Sequence, residues 1–392
     1  MKISVVIPLY KAEDYIIETL NSIVNQTYQV AEILVIDDCG PDRSAELVEQ
    51  YMITQPIVKL IRQPYNQGGS AARNRGMQEA EHDWLLLVDA DDLLDATLVE
   101  KQMQRLTEFL SNSTQSEQLP VSAVHSAYVQ IDSDSQIVPN SEIRGKQLSY
   151  KDLFGSLIVR NFIITPTGML VNKAVMKDIG GFRTNLKISE DFDFYLRLAK
   201  AGNMLYIDEP LVKHRRHLTN VTENLGKSLL AGKTIIQQYT TEELEEAILG
   251  RSFSESQNKI DLAKVQFYLE EYEQGYNTLL SIDQDEFPVT TLFMKSIYAV
   301  KQQNLQLARM LLEQLVDQDP NHMAAINNLA VIKAKQGDVE TARALFEQCM
   351  LSMPGYLDAK HNLNVLAEDN EQCAFKYTLR ELRTNLLRYT SL

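Results

Sequence analysis

Trp84-Leu85-Leu86-Leu87-Val88-Asp89-Ala90-Asp91-Asp92 decides the reading of this 392-residue chain. Five apolar residues in a row fit a strand buried on both faces. The run then ends in a cluster of carboxylates. The period of two along extended backbone sends the Asp89 and Asp91 side chains to the same side. Carboxylate oxygens at a strand tip suit hard cations such as Mg2+ or Mn2+, which bridge to phosphates. Asp-x-Asp recurs by chance on protein surfaces, but the apolar run ahead of it makes a surface turn a poor account of these residues.

Upstream, strand and helix patterns alternate. Ile3 to Pro8 is a short apolar run. Ala12 to Gln26 carries Ile16, Leu20, Ile23 and Val24 at helical spacing. Ile33 to Ile36 reads as a strand that stops at Asp37-Asp38, and Asp42 to Met52 reads as a helix with Asp42 as its N-cap. Val58 to Ile61 is a third strand, and Gly68 to Ala80 a helix that starts on small residues. Four such alternations predict a mostly parallel, Rossmann-like sheet. Ligands bind beyond the carboxyl ends of such strands, so both acidic clusters fall on one rim. An acid at Asp37-Asp38 can accept hydrogen bonds from a base or ribose; the plainer reading is a turn that caps the next helix. Asn66-Gln67-Gly68-Gly69-Ser70 lets backbone approach a ligand at a helix N-terminus. Neither Gly-Lys-Ser/Thr nor Gly-x-Gly-x-x-Gly occurs there, which argues against a P-loop and a dinucleotide site.

Downstream, residues 111–119 are polar and read as a loop. Val121 to Ile131, Phe162 to Asn172 and Met204 to Ile207 read as strands, and Glu190 to Ala201 as a helix. The first domain is expected over residues 1–225, followed by a helical linker over 226–257. From 258 to 392 the chain turns to helix formers. Ala308, Leu312 and Pro320 recur as Ala342, Phe346 and Pro354, at an offset of 34 residues. Leu262-Ala263, Gly275, Leu279 and Pro288 mark a weaker earlier copy, and Asn362-Leu363 begins a partial later one. Paired helices at this period resemble the tetratricopeptide repeat. An ordinary helical bundle is the bland alternative.

The 38 basic and 53 acidic side chains leave a net charge of −15. So acidic a surface repels phosphate backbones, which argues against nucleic acid as a partner. Cys39, Cys349 and Cys373 are widely spaced and form neither a metal-ligand pattern nor a disulfide framework. That fits a reducing compartment. Nowhere do roughly 18 apolar residues run together, and Pro8 interrupts the N-terminal apolar run early, unlike a signal peptide. The expected location is cytoplasmic, with room for peripheral contact at a membrane.

Residues 1 to about 222 resemble the family 2 glycosyltransferases of the GT-A fold. Val5-Val6-Ile7-Pro8-Leu9-Tyr10 is similar to that family's first strand and nucleotide-contacting turn. Asp37-Asp38 is similar to its base and ribose acids, Asn66-Gln67-Gly68 with Ala72-Arg73-Asn74 to its next signature, and Val88 to Asp92 to its metal motif. Gly180-Gly181-Phe182 followed by Glu190-Asp191 resembles its acceptor-side signature, and Arg215, His217 and Thr222 its trailing Arg-x-His pattern. Six motifs in order are far more specific than any one.

The resemblance implies a metal-dependent inverting transferase with an all-α repeat domain behind it. Asp191 would be the general base. Pro8, Tyr10, Asp37, Asp38, Arg73 and Asp89 would bind the donor, Asp91 and His217 the Mn2+ or Mg2+ ion, and Glu190 would stand on the acceptor side. Arg215 and Arg216 are candidates for phosphate contact. UDP-sugar is the implied donor class. The acceptor is a saccharide or a polypeptide, and the repeats would serve acceptor recruitment, a protein partner or self-association. Three departures bear on this: Cys39-Gly40-Pro41 after the paired acids, Arg183-Thr184 after Gly181-Phe182, and His214 in place of a common Tyr. Without a Gln-x-x-Arg-Trp motif or a spanning segment, a processive synthase is not expected. A competing expectation is a scaffold working through its repeats with an inactive sugar-nucleotide fold. A nucleotidyltransferase is disfavoured because no Gly/Arg/Lys-rich N-terminal loop is present.

Overall fold

The computed structural model describes residues 1–112, 119–216, 225–283, 286–368 and 374–382. The chain divides into two compact units, Met1–Ser252 and Phe253–Leu392.

The first unit is built on an eight-stranded sheet. Its strands are β1 (Ile3–Leu9), β2 (Glu32–Asp37), β3 (Val58–Arg62), β4 (Trp84–Leu87), β5 (Leu93–Leu94), β6 (Val121–Ile131), β7 (Met169–Asn172) and β8 (Asn203–Arg215), in the order β3-β2-β1-β4-β7-β6-β8-β5. The first four are parallel, as the alternation predicts. The sheet as a whole is mixed: β7 runs antiparallel to both β4 and β6, β5 runs antiparallel to β8, and β6 and β8 are parallel. Buried apolar runs explain the central strands. Val5, Val6 and Ile7 are fully buried, as are Leu85, Leu86 and Leu87.

Helices α1 (Ile16–Val24), α2 (Ser44–Met52) and α3 (Gly69–Glu79) connect the parallel strands. A side chain at Gly76 would meet Val6 Cγ1 at 2.2 Å, so a glycine there lets α3 lie close against β1. Asp42 is not the N-cap of α2. That position falls to Arg43, and Asp42 instead accepts from the Ser44 hydroxyl at 2.6 Å and the Glu13 N–H at 3.0 Å.

Beyond β4 the expected pattern departs from the structure. Helices α4 (Leu98–Asn112), α5 (Tyr150–Val159) and α6 (Lys173–Asp178) were not anticipated. The strand expected over Phe162–Asn172 shrinks to Met169–Asn172. Pro166 cannot donate to a ladder, and Gly168 takes φ +76° to turn in beneath Val212. The strand expected over Met204–Ile207 instead continues to Arg215, passing Pro210 at a register shift where a missing N–H is tolerated. Helix α7 (Glu190–Ala201) has the bounds the sequence predicts.

The unit also runs past the expected close at residue 225. Helices α8 (Leu225–Ile236) and α9 (Thr241–Leu249), expected as a linker, belong to it. A side chain at Gly155 of α5 would meet the Ala247 carbonyl at 2.1 Å, so α5 and α9 cross closely. The Ser252 N–H donates to Asp152 Oδ1 at 2.6 Å.

The second unit is all helix: α10 (Glu255–Tyr268), α11 (Tyr272–Leu280), α12 (Pro288–Lys301), α13 (Leu305–Gln318), α14 (Met323–Lys335), α15 (Val339–Ser352) and α16 (Leu357–Glu368). The repeat register is visible in the packing. Ala308 and Leu312 of α13 and Ala342 and Phe346 of α15 are all fully buried. Among the described residues, no helix is long and apolar enough to cross a membrane.

Candidate active site

Because β1 to β4 are parallel, their carboxyl ends share one rim, and the sequence distributes acids along it. Pro8, half-buried, stands in register with Ile36, and Leu9 with Asp37. Tyr10 follows with 46 % of its surface exposed, a ring open to stacking.

The two acids after β2 differ. Asp37 is nearly buried, accepts the Gly40 N–H at 3.4 Å and lies 3.8 Å from Arg62. Asp38 is buried and its carboxylate is already engaged: Oδ1 accepts from Gln63 Nε2 and the Gln67 N–H, both at 2.7 Å, and Oδ2 accepts the Gly68 N–H at 2.8 Å. It therefore shapes the turn ahead of α3 rather than facing a ligand. Gly68 holds φ +88° in that turn, which a side chain would strain.

Arg73, on α3, is nearly buried and joins two parts of the site. It meets Asp89 Oδ1 at 2.5 Å and lies 3.8 Å from Glu190, with its guanidinium 5.2 Å from the Phe182 ring centre. Asp89 and Asp91 are both half-buried. Thr167 accepts the Asp89 N–H at 3.0 Å and donates to Asp92 Oδ2 at 2.5 Å. Asp92 is fully buried and takes the Arg215 N–H at 2.8 Å, with His214 Nδ1 at 3.1 Å. Burial works against a proton on His214, but the charge of Asp92 and its hydrogen bond, with the charge of Asp91, together outweigh it and raise its pKa. Asp92 is thus a framework acid, whereas Asp91 is only half-buried.

Asp191 lies in the first turn of α7, where the helix dipole favours a carboxylate. Protein atoms crowd it, and its pKa is pushed up to about 7. Burial is the main cause and the Glu190 charge the next, while the Phe192 N–H, at 2.7 Å, and Arg73 pull the other way.

Asn74 and Arg197 hold this half of the site. Asn74 Oδ1 accepts the Phe182 N–H at 2.8 Å, and its Nδ2 donates to the Phe182 carbonyl at 2.7 Å. Arg197 donates from Nη1 to the carbonyls of Ile179 and Gly181 and grips Asp193 at 2.6 Å. The Gly180-Gly181-Phe182 turn is thereby fastened to α3 on one side and α7 on the other. Tyr195, one helical turn beyond Asp191, is wholly buried, and its hydroxyl has no hydrogen-bond partner among the described residues. Its i, i+4 spacing from Asp191 sets both on one face of α7.

Arg215 is corrected from its expected phosphate role. Its buried guanidinium donates to the Asp91, Asp132 and Ser133 carbonyls and to Glu18, and it stacks 4.4 Å from the Tyr15 ring. Arg183 pairs with Asp193 at 2.9 Å. His217 and Thr222 lie outside the described residues, among which no group of three His, Cys, Asp or Glu side chains is placed to hold a metal ion. The half-buried carboxylate of Asp91, at the rim where the parallel strands end, suits a hard cation bound by one carboxylate and substrate oxygens.

Two stretches of the chain match known protein families. Residues 4–116 match the model of glycosyl transferase family 2, and residues 299–363 match a tetratricopeptide repeat. An uncharacterised glycosyltransferase of Haemophilus influenzae is 39 % identical over 101 residues, 26 % of this chain and 40 % of that protein. The chain thus spans less than half the length of that relative. TuaG of Bacillus subtilis, a glycosyltransferase whose name proposes a role in teichuronic acid biosynthesis, is 23 % identical over 227 residues, 58 % of this chain and 83 % of its own. Among solved structures, Staphylococcus aureus TarS 1–349 in complex with UDP-GlcNAc aligns over 88 % of this chain and 90 % of that one, with TM-score 0.50 and 19 % identity. That likeness is one of fold, a GT-A sheet followed by helices.

Proposed function

From the premise that residues 4–116 belong to a family 2 glycosyltransferase domain, we propose that the first unit transfers a hexosyl or N-acetylhexosaminyl group, with inversion, from a UDP-sugar to a hydroxyl of a saccharide or polypeptide. The observation that carries this reading is the place of Asp191 in the first turn of α7, near the Arg73–Asp89 pair at the strand rim, where burial and the Glu190 charge push its pKa up to about 7. A base works best when its pKa lies near the operating pH.

The acceptor oxygen attacks the anomeric carbon and its proton passes to an Asp191 oxygen. The bond from that carbon to the diphosphate oxygen breaks, and UDP leaves with the bonding pair. Tyr10 offers a stacking face and Asp37 an acceptor for the base and ribose, with Pro8 near the end of β1, beside Ile36 of β2. Arg73 holds Asp89 and Glu190 apart from each other's charge and sets the spacing of the two halves. Glu190, in the first turn of α7 with Asp191, would orient the acceptor. A divalent cation, Mn2+ or Mg2+, held by Asp91 and the donor's diphosphate, would offset the charge that develops on the departing nucleotide.

The test is UDP-sugar turnover with Mn2+ or Mg2+ and with chelator. Release of UDP only in the presence of metal, lost in Asp91→Asn together with metal-dependent donor binding, is the expected result. Equal metal affinity in Asp91→Asn would remove Asp91 from this role. Absence of both turnover and nucleotide binding would end the transferase reading.

A further inference from the structure

Asp191 and Tyr195 share one face of α7, and each has a polar atom left over. The Asp191 carboxylate takes the Phe192 N–H on Oδ1 at 2.7 Å, while its Oδ2 accepts no hydrogen bond among the described residues. The Tyr195 hydroxyl, wholly buried, has no partner there either. Side chains on a helix lean toward its N-terminus, so the Tyr195 ring runs back over the turn that bears Asp191. The charges acting on its hydroxyl describe its surroundings: Asp191 first, then Arg73 of α3, Asp89 just past β4 and Glu190 of α7. Arg73 serves Asp89 at 2.5 Å and lies 3.8 Å from Glu190. Asp191 has no cation within ion-pair distance among the described residues.

A buried hydroxyl without a partner costs stability, and phenylalanine would fill the same space without that cost. Burial holds the Tyr195 phenol well above its ordinary range, so it keeps its proton and remains a donor. A carboxylate draws such a donor about twice as strongly as a neutral carboxyl does. We propose that Tyr195 is a positioning residue: its hydroxyl donates to the spare oxygen of Asp191 once that carboxyl has ionised, and holds the carboxylate ready for the acceptor's proton. The proposal rests on the reading of Asp191 as the base. The charges that face Asp191 are Glu190 on its own helix and Arg73 and Asp89 across the site. Tyr195→Phe alters none of them and keeps the ring, so it isolates the hydroxyl.

The deciding measurement is thermal melting of the full-length chain from about pH 4 to about pH 9, with chelator and without nucleotide. While Asp191 is protonated, Tyr195→Phe should melt level with the wild type or slightly above it, since a buried unpaired group is gone. As Asp191 ionises, the wild type gains a bond that the variant lacks, and the variant should fall behind by about 2 °C or more. In the Asp191→Asn background the same substitution should change the melt by an amount that does not vary with pH. In UDP release from a UDP-sugar with metal, Tyr195→Phe should move the rise of kcat to higher pH by about 1 pH unit or more. Above that rise kcat should return close to the wild-type value, and the donor KM should stay within about twofold throughout. A difference in melting that is constant with pH makes the hydroxyl an unpaired part of the core and overturns the proposal. So does a pH-dependent difference that persists in Asp191→Asn, or a loss of kcat equal at every pH. Near-normal turnover in Asp191→Asn removes the base reading instead, and the melts still decide whether Tyr195 pairs with Asp191.

Discussion

At the residue scale, Asp191 gathers the most consequential environment. Its carboxyl holds a proton up to about pH 7, whereas an unfolded aspartate releases it near 3.9. The folded state therefore binds more protons than the unfolded state between these values, and stability falls as pH rises through that window. Asp191→Asn removes this dependence. In thermal melts the variant should gain on the wild type from about pH 4 to about pH 8 and match it at the acid end; a constant difference would mean an ordinary aspartate. The same group gives transfer a rate that rises with pH to a plateau above about 7, because only the carboxylate accepts a proton. Asp191→Asn should cut transfer by about 10²-fold or more at the plateau with donor affinity nearly intact. Near-normal transfer would place the base elsewhere.

At the element scale, the site depends on how α3 and α7 are fastened to the Gly180-Gly181-Phe182 turn. Asn74 makes a two-way pairing with Phe182, and a side chain at Gly181 would meet Asn74 Oδ1 at 2.4 Å. Asn74→Ala leaves the Phe182 N–H and carbonyl unpaired in a buried place, at a cost of about 1–3 kcal/mol. Urea denaturation should show that loss. Turnover should fall further than donor affinity, because Asp191 and Glu190 ride on the far side of this joint. Equal losses in kcat and donor binding would mean that the joint supports only the nucleotide half. Asp38 is a lesson at the same scale. As one of a pair of strand-end acids it resembled a ligand contact, but the turn it supports needed both of its oxygens.

At the scale of the molecule, the division at Ser252 and Phe253 makes a concrete claim. A chain of residues 1–252 should fold and retain metal-dependent UDP release, while use of the native acceptor weakens. A chain cut at 225 removes α8 and α9 and exposes the face of α5 that Ala247 covers, so it should melt several degrees lower or aggregate. If both truncations melt alike, α8 and α9 contribute nothing to the unit. If 1–252 serves the native acceptor as well as the full chain, the repeats act elsewhere.

The local code was strong enough to give the four parallel strands, the rim of acids, the bounds of α7 and the 34-residue repeat. Each is written in short-range periodicity or in residue types that end an element, and those physical causes act within a few positions of the chain. Other features depended on distant partners. The mixed half of the sheet follows from β7 and β8 pairing with strands far away in sequence, as Trp84 with Asn172 and Leu93 with Lys213, which no local pattern records. Asp38 and Asp92 look in sequence like Asp37 and Asp91; only the folded chain sets their carboxylates on Gln67, Gly68, Thr167 and Arg215 as parts of the framework. Arg215 lost its expected phosphate contact for the same reason, its guanidinium being buried among carbonyls. The raised pKa of Asp191 arises from crowding and a neighbouring charge. Burial, charge proximity and long-range hydrogen bonds exist only once the chain has folded, so tertiary structure alone decided them.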